Sequence, residues 1–162
     1  MVIGHTGTII HKQGQAIKSK GSGIVEGYLI SWGTPQDADL EGQYFTPNTD
    51  LGLNWFNGNY PVLYHHGLDN TLGIKVIGRI TAVKTDDVGL WVRAQLNLAD
   101  TYAREVYDMV QTKQFGWSSG SIDHLVKVAP DGHIKRWVLV EGSITPTPAQ
   151  PRKTTVRAFK SI

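Results

Sequence analysis

A serine-rich segment, "FGWSSGS", covers residues 115–121 and contains the first candidate for chemistry. Gly116 and Gly120 flank Ser118, so the backbone could turn sharply there and direct free amide groups at an oxyanion. This geometry suits a catalytic nucleophile. It also suits an ordinary helix-to-strand turn, and the turn is the favoured interpretation of a G-x-S-x-G motif taken alone. The segment by itself therefore leaves two interpretations open.

A serine nucleophile needs an imidazole to accept its proton and a third group to orient that imidazole. His65 and His66 directly follow the apolar segment "PVLY", which would place an imidazole at the exposed end of a buried strand. Since neighbouring strand residues point to opposite faces, at most one of the two can face a given site. His124, close after the serines, is a reserve candidate. The alternative for His65 and His66 is a solvated strand end.

A metal centre is the other chemistry that histidines could indicate. His65, His66 and Asp69 follow the order H-H-x-x-D, but vicinal ligands seldom converge on one ion and no E-x-x-H pair supports them. The chain has no cysteine, which excludes disulfides, thiolate zinc sites and a cysteine nucleophile. The sequence thus predicts neither a metal nor another cofactor.

Composition and charge favour one soluble domain without a nucleic-acid or membrane partner. The 162 residues are enough for one compact core. The 16 basic and 14 acidic residues are spread evenly, so no basic face indicates nucleic acid. Apolar runs are only a few residues long, and the amino terminus lacks a secretory pattern. We therefore expect a cytoplasmic protein.

The amino-terminal part differs in composition from the remainder of the chain. Residues 12–23 are polar and rich in glycine and lysine. Residues 1–23 are therefore predicted to be a flexible segment, and His5 and His11 within it are not expected to have a functional role. A single domain is predicted over residues 24–162, beginning with the strand-like "IVEGYLISWG". Further on, apolar residues alternate at positions 90, 92, 94, 96 and 98, in a hairpin whose turn lies at residues 86–89.

From Asp100 the apolar period changes to that of a helix, with one face formed by Tyr102, Val106, Met109 and Val110. After the serines, "SIDHLVKV" and "IKRWVLVEGSIT" flank the turn-forming "APDGH" and predict a second hairpin. The tail contains "TTVRAF", which could add an edge strand. The sequence therefore predicts a mostly antiparallel β domain that carries one substantial helix, an α+β fold.

Four segments, taken in order, resemble the pattern of the tailed-phage prohead protease family, whose members cleave scaffold inside an immature capsid. They are "VEGYLISWGTPQDAD", "VLYHHGLDNTLGIKVIGRI", "YAREVYDMVQTKQFGWSSGS" and "VLVEGSITPTPAQP". The resemblance covers about residues 24–158. The family is related in fold to the herpesvirus assemblins. The resemblance implies an assemblin-like antiparallel β-barrel of about six to seven strands with one main helix.

The resemblance also implies roles for individual residues. The implied base, nucleophile and orienting group are His66, Ser118 and Glu141. Ser119 and Gly120 follow the nucleophile, where backbone amides would stabilise the oxyanion. His65 and His124 remain reserve candidates for the base.

The position of Glu141 can be estimated from the second hairpin. If that hairpin has a two-residue turn, Glu141 pairs with Ile122, roughly 13 Å along the strand from Ser118. An imidazole could bridge that gap, because it stands between the nucleophile and the orienting group in a triad. The alternative is an exposed strand carboxylate that pairs with Arg136 or Lys135.

The resulting prediction is a phage prohead maturation protease. It would be a serine endopeptidase that cleaves scaffold and major capsid protein, and itself, inside the immature capsid in the host cytoplasm. The alternative is a non-catalytic β-barrel that binds scaffold or capsid protein during assembly. A small-molecule esterase is disfavoured, because no strand-helix alternation surrounds the serine. The resemblance leaves room for a homodimer, with the amphipathic helix over residues 100–114 as the candidate contact.

Overall fold

The computed structural model describes residues 8–55, 59–65, 75–112 and 115–146. These residues form ten β-strands and one α-helix, apart from short 3-10 turns. In chain order they are β1 (Ile9–Ala16), β2 (Lys18–Ser19), β3 (Ile24–Ser31), β4 (Tyr60–Tyr64), β5 (Val76–Thr85), β6 (Gly89–Leu96), α1 (Thr101–Thr112), β7 (Gly116–Ile122), β8 (Val126–Val128), β9 (Ile134–Trp137) and β10 (Glu141–Thr145). Eight of the strands form a nearly closed barrel in the order β1-β7-β10-β4-β5-β6-β3-β2, and β8 pairs with β9 in a separate sheet.

The barrel is a mixed sheet of eight strands, so the expected antiparallel barrel of about six to seven strands is only roughly matched. β10 runs parallel to β4, whereas the other pairs of barrel strands are antiparallel. A parallel pair needs a long crossover connection. Here the chain passes through β5 to β9 before β10 inserts between β4 and β7. The predicted class, mostly β with one helix, is confirmed for the described residues.

β1 lies against β3, which brings the two ends of the sheet together. Gly14 permits this approach, because a Cβ atom at that position would lie 2.3 Å from the carbonyl oxygen of Leu29. Beside it, Gln15 Nε2 donates a hydrogen bond to Ser31 Oγ at 2.8 Å. β1 is therefore held on both sides, by β7 in the sheet and by β3 across the closure.

The amino-terminal part of the chain requires a correction. Residues 9–19, which were expected to be flexible, form β1 and β2 of the barrel, whereas residues 1–7 lie outside the described part. The polar composition was misleading because the polar side chains of β1 have partners inside the protein. Lys12 is buried, and its Nζ contacts Asp39 and, at 2.6 Å, Glu41. A charge that is paired in this way can be buried in a strand.

The first predicted hairpin is confirmed. β5 and β6 pair on either side of residues 86–88, and the side chains of Leu90, Val92, Ala94 and Leu96 are buried. Asp86 stabilises the turn, since its Oδ1 accepts hydrogen bonds from the amides of Val88 and Gly89 at 2.8 and 3.1 Å. The Tyr28 hydroxyl donates to Asp86 Oδ2 at 2.6 Å, and this hydrogen bond is the main reason that the pKa of Tyr28 rises to about 12.

The predicted helix is confirmed as α1. Its amino-terminal end is capped by Asp100, whose Oδ1 accepts a hydrogen bond from the Tyr102 amide at 3.3 Å. The buried face consists of Ala103, Val106, Tyr107 and Val110. These residues belong to the barrel core, so the apolar stripe of α1 packs within this protein. In the described part of the chain no helix is long and apolar enough to span a membrane.

The second predicted hairpin is correct only in part. β8 and β9 pair around residues 129–133, but β10 does not continue that ladder. After residues 138–140 the chain joins the barrel, where β10 pairs with β7. The "TTVRAF" segment and the end of the "TPTPAQP" segment lie outside the described residues.

Candidate active site

The serine-rich segment is a strand in the middle of the sheet, and its two faces have different surroundings. Ser119 pairs with Gly142, and a Cβ atom at Gly142 would point at side chains of Ile80 and Leu29 in the core. Side chains alternate along a strand, so Ser119 faces the core and Ser118 faces the outside of the barrel. The expected helix-to-strand turn at the serines is therefore wrong, because β7 has paired strands on both sides.

Four neighbouring residues lie together on the outer face of β7 and β10. Ser118 pairs with Ser143, and Gly120 pairs with Glu141. Because these positions are two residues apart on each strand, all four lie on one face. We call this group the serine-glutamate patch. It brings together two residues that the sequence analysis assigned to catalysis, Ser118 and Glu141.

Glu141 is fully buried, and its carboxylate lies across β7. Ser143 Oγ donates a hydrogen bond to Glu141 Oε2 at 3.0 Å. A Cβ atom at Gly120 would lie 2.5 Å from Glu141 Oε1, so the carboxylate occupies the space that the missing side chain leaves. The alternative of an exposed carboxylate is wrong, because Glu141 is fully buried. Arg136, one of the basic residues considered as its partner, has its Nε 3.6 Å from Asp50 Oδ2.

The predicted register of Glu141 is also wrong, in a direction that brings it closer to the serine. Glu141 pairs with Gly120 and not with Ile122. The estimate counted residues through one continuous hairpin, whereas β8 and β9 form a separate sheet and β10 begins a new ladder. Glu141 therefore pairs two residues from Ser118, roughly 7 Å along the strand.

Ser118 is almost completely buried, with 2% of its surface exposed. Its Oγ donates a hydrogen bond to the main-chain oxygen of Lys12 at 3.0 Å, and Ser119 Oγ makes a longer one of 3.4 Å to the same atom. Ser119 and Gly120 lie within the ladder and not in the sharp turn that was expected to free their amides. Their oxyanion role stays a prediction.

The histidine candidates have three different positions. His65 directly follows β4, which pairs with β10 beside the patch, and it adopts a left-handed φ of 51°, uncommon for a residue other than glycine. Its Nδ1 is buried and has no hydrogen-bond partner among the described residues. His66 lies outside the described residues. His124 is exposed, with Nδ1 3.7 Å from Asp123 Oδ1, and the structure does not bring it into the patch.

The family model for the caudovirus prohead serine protease matches residues 11–161. The chain belongs to this family. The predictions of a serine peptidase and of a role in the maturation of phage capsids are thereby confirmed. No curated protein and no solved structure shows significant similarity to the chain. The expected relation to the assemblin fold stays a prediction.

Two polar residues of the protease were not recognised from the sequence. Ser143 could have been found, because Glu141 and Ser143 are two apart in a strand-like segment and must share a face. His11 was dismissed as incidental, yet it pairs with Gly120 on the other side of β7. No local signal indicated this, because β1 does not have the alternating pattern of a half-buried strand.

The described residues of the protease contain no group of three or more His, Asp and Glu side chains that could hold a metal ion. Two residues of the H-H-x-x-D motif, His66 and Asp69, lie outside this part of the chain. The structure therefore does not describe how the residues of this motif are arranged.

Replacing Gly120 with alanine should inactivate the protease without unfolding it. The new methyl group would lie 2.5 Å from Glu141 Oε1 and 2.8 Å from its Cδ, so the carboxylate has to move. A side chain can yield more easily than a strand, and we expect a loss of activity of at least about tenfold with destabilisation of about 1–3 kcal/mol. Scaffold cleavage and thermal unfolding measure the two effects.

The matched control is Gly142→Ala, in which the new methyl group faces the core, 3.1 Å from Ile80 Cδ1. It should cost comparable stability while leaving the carboxylate in place. Full activity of Gly120→Ala would show that the position of Glu141 is unimportant.

Proposed function

We propose that Ser118 is the nucleophile of this prohead protease, that His66 is its general base, and that Glu141 orients the base. The observation that carries the proposal is the register of β7 and β10. It places a fully buried carboxylate on the same face as Ser118, on the neighbouring strand and opposite Gly120, two residues along from the serine. Buried carboxylates are costly unless they serve a paired or hydrogen-bonded role, and orienting an imidazole is such a role.

The chemical sequence is acyl transfer at a peptide bond. Ser118 Oγ attacks the carbonyl carbon while the imidazole takes its proton, and the same proton then passes to the departing amine. Water repeats the steps on the acyl-enzyme and releases the carboxylic acid. Glu141 stays ionised throughout and stabilises the imidazolium, and main-chain amides, with those of Ser119 and Gly120 as candidates, stabilise the oxyanion.

The resting contact of Ser118 fits this sequence after one rotation. A hydroxyl has a single proton, and that of Ser118 points to the Lys12 carbonyl oxygen. Attack requires the hydroxyl to turn toward the base. Catalytic hydrogen bonds often form only when the substrate binds, so the resting direction is compatible with a catalytic role.

The proposed substrates are extended segments of phage scaffold and major capsid protein, and of the protease itself, within the immature capsid. An extended segment can add to a sheet edge through main-chain hydrogen bonds. Such docking presents a peptide bond in a defined orientation. The proposal includes a possible homodimer and requires no metal or other cofactor.

Fluorophosphonate labelling tests the nucleophile and its base together. We expect one adduct, on Ser118, that disappears in His66→Ala and survives in His65→Ala, because an activated serine depends on its base. Intact mass and peptide mapping locate the adduct. Labelling that survives His66→Ala and is lost in His65→Ala would instead identify His65 as the base. A wild-type protein that binds scaffold without labelling or cleavage would support the non-catalytic alternative.

A further inference from the structure

We propose that His11 is a positioning residue of the active site, which binds the carboxylate of Glu141 from the side opposite β10. This inference rests on the proposed roles of Ser118 and Glu141. It adds a residue from β1, a strand that does not contain any of the proposed catalytic groups.

The register of three adjacent strands places His11 beside the carboxylate. β7 lies between β1 and β10, with His11 opposite Gly120 on one side and Glu141 opposite Gly120 on the other. Directly opposed residues point to the same face of a sheet. His11, Gly120 and Glu141 therefore form one row across the outer face, and the residue in the middle has no side chain.

The distances along this row allow direct contact. Cβ atoms of directly opposed residues lie about 5 Å apart, so the His11 Cβ is about that far from the place of a Cβ on Gly120. Glu141 Oε1 lies 2.5 Å from the same place. An imidazole that extends from His11 over Gly120 can therefore reach this oxygen. A side chain at position 120 would separate the two groups.

Charge makes His11 the suitable partner. On this face β1 contributes Ile9, His11 and Gln13, β7 contributes Gly116, Ser118, Gly120 and Ile122, and β10 contributes Glu141, Ser143 and Thr145. Among these described residues His11 alone can carry a positive charge. The neighbouring Lys12 points to the opposite face and contacts Asp39 and Glu41. A fully buried carboxylate is stabilised by a donor or a cation, and His11 supplies either.

With His11 in this position, the Glu141 carboxylate can still accept a hydrogen bond from the catalytic imidazole. Ser143 donates to Oε2 from one side. In the proposed arrangement His11 donates to Oε1 from the other side. A carboxylate has about four acceptor positions, so an N–H of the catalytic imidazole can still bind. His11 and Ser143 thus fix the direction of Glu141, and neither needs to contact the substrate.

Kinetics of the full chain on a fluorogenic peptide from a cleaved junction test the positioning role. We expect His11→Ala to lower kcat by about tenfold to a hundredfold with little change in KM, the size of one lost hydrogen bond to a charged group. His11→Gln, which keeps a donor, should recover most of the loss. In a Glu141→Gln background His11→Ala should have no further effect, because His11 acts through that carboxylate.

The matched control is Gln15→Ala, which removes a hydrogen bond from the same strand to Ser31. Its thermal unfolding midpoint should fall about as much as that of His11→Ala, with kcat unchanged. Wild-type kcat in His11→Ala, no recovery in His11→Gln, or a further loss in the Glu141→Gln background would each overturn the inference.

Histidine titration by NMR tests the contact without relying on catalysis. A neighbouring carboxylate raises the pKa of an imidazole, so Glu141→Gln should lower the pKa of His11. An unchanged pKa of His11 would overturn the inference even in an active protease. If Glu141→Gln lowers the pKa of His11 but Ser118→Ala is fully active, the contact between His11 and Glu141 is supported and the proposed function is rejected.

Discussion

Replacing Ser118 with alanine is expected to abolish cleavage of scaffold and capsid protein while the barrel remains folded. Loss of the nucleophile of a serine protease costs about 10⁴- to 10⁶-fold in kcat. The fold should survive, because β7 keeps its main-chain ladders with β1 and β10 when the Ser118 hydroxyl and its hydrogen bond to the Lys12 carbonyl are removed. Gel-based cleavage of purified scaffold protein measures activity, and circular dichroism monitors the fold.

Ser121→Ala is the matched control for this variant. Ser121 is a fully buried serine of the same strand, it alternates with Gly120 toward the core face, and its hydroxyl has no hydrogen-bond partner among the described residues. Its removal should leave cleavage unchanged. If Ser118→Ala still cleaves while a second serine becomes labelled by fluorophosphonate, the nucleophile has been assigned to the wrong residue.

Replacing Glu141 with glutamine should lower kcat by about 10²- to 10⁴-fold, the range seen when the orienting carboxylate of a triad is neutralised. The amide has the same shape and can still accept the hydrogen bond from Ser143, so the packing over Gly120 is retained. It cannot stabilise an imidazolium. KM should change little, because the substrate does not contact this buried group. Steady-state kinetics on the fluorogenic peptide separate kcat from KM.

Glu26→Gln is the control for the neutralised carboxylate. Glu26 is also buried, but it lies on β3, and its Oε2 accepts from Arg93 Nε at 2.7 Å across to β6. This change should reduce stability without a comparable effect on turnover. Equal losses of kcat in both variants would indicate a general loss of structure and would remove the support for a catalytic carboxylate.

Local patterns were sufficient for the elements that stabilise themselves within a short stretch of chain. The hairpin of β5 and β6 follows from strict alternation and from Asp86, which accepts both turn amides. The helix α1 follows from its apolar period and from the Asp100 cap. In both cases the residues that decide the structure are near neighbours in sequence, so propensity and periodicity describe them well.

The candidate site could be predicted only as a set of residues and not as an arrangement. The family motifs singled out Ser118 and Glu141, but they lie on strands whose pairing depends on where the chain returns after the separate sheet of β8 and β9. Counting through the turn gave the wrong register by two residues. A register shift of two preserves the face, which is why Ser118 and Glu141 still lie on the same side of the sheet.

By itself the sequence determined the class of chemistry, the helix and the first hairpin, and through its motifs it determined the family. Only the tertiary structure decided that β1 belongs to the barrel, that Gly120 makes room for the Glu141 carboxylate, and that His11 and Glu141 lie opposite Gly120 on its two sides. The physical reason is that buried polar residues are stabilised by partners distant in sequence. Lys12 is buried because Asp39 and Glu41 surround it, and no pattern within β1 reveals those partners.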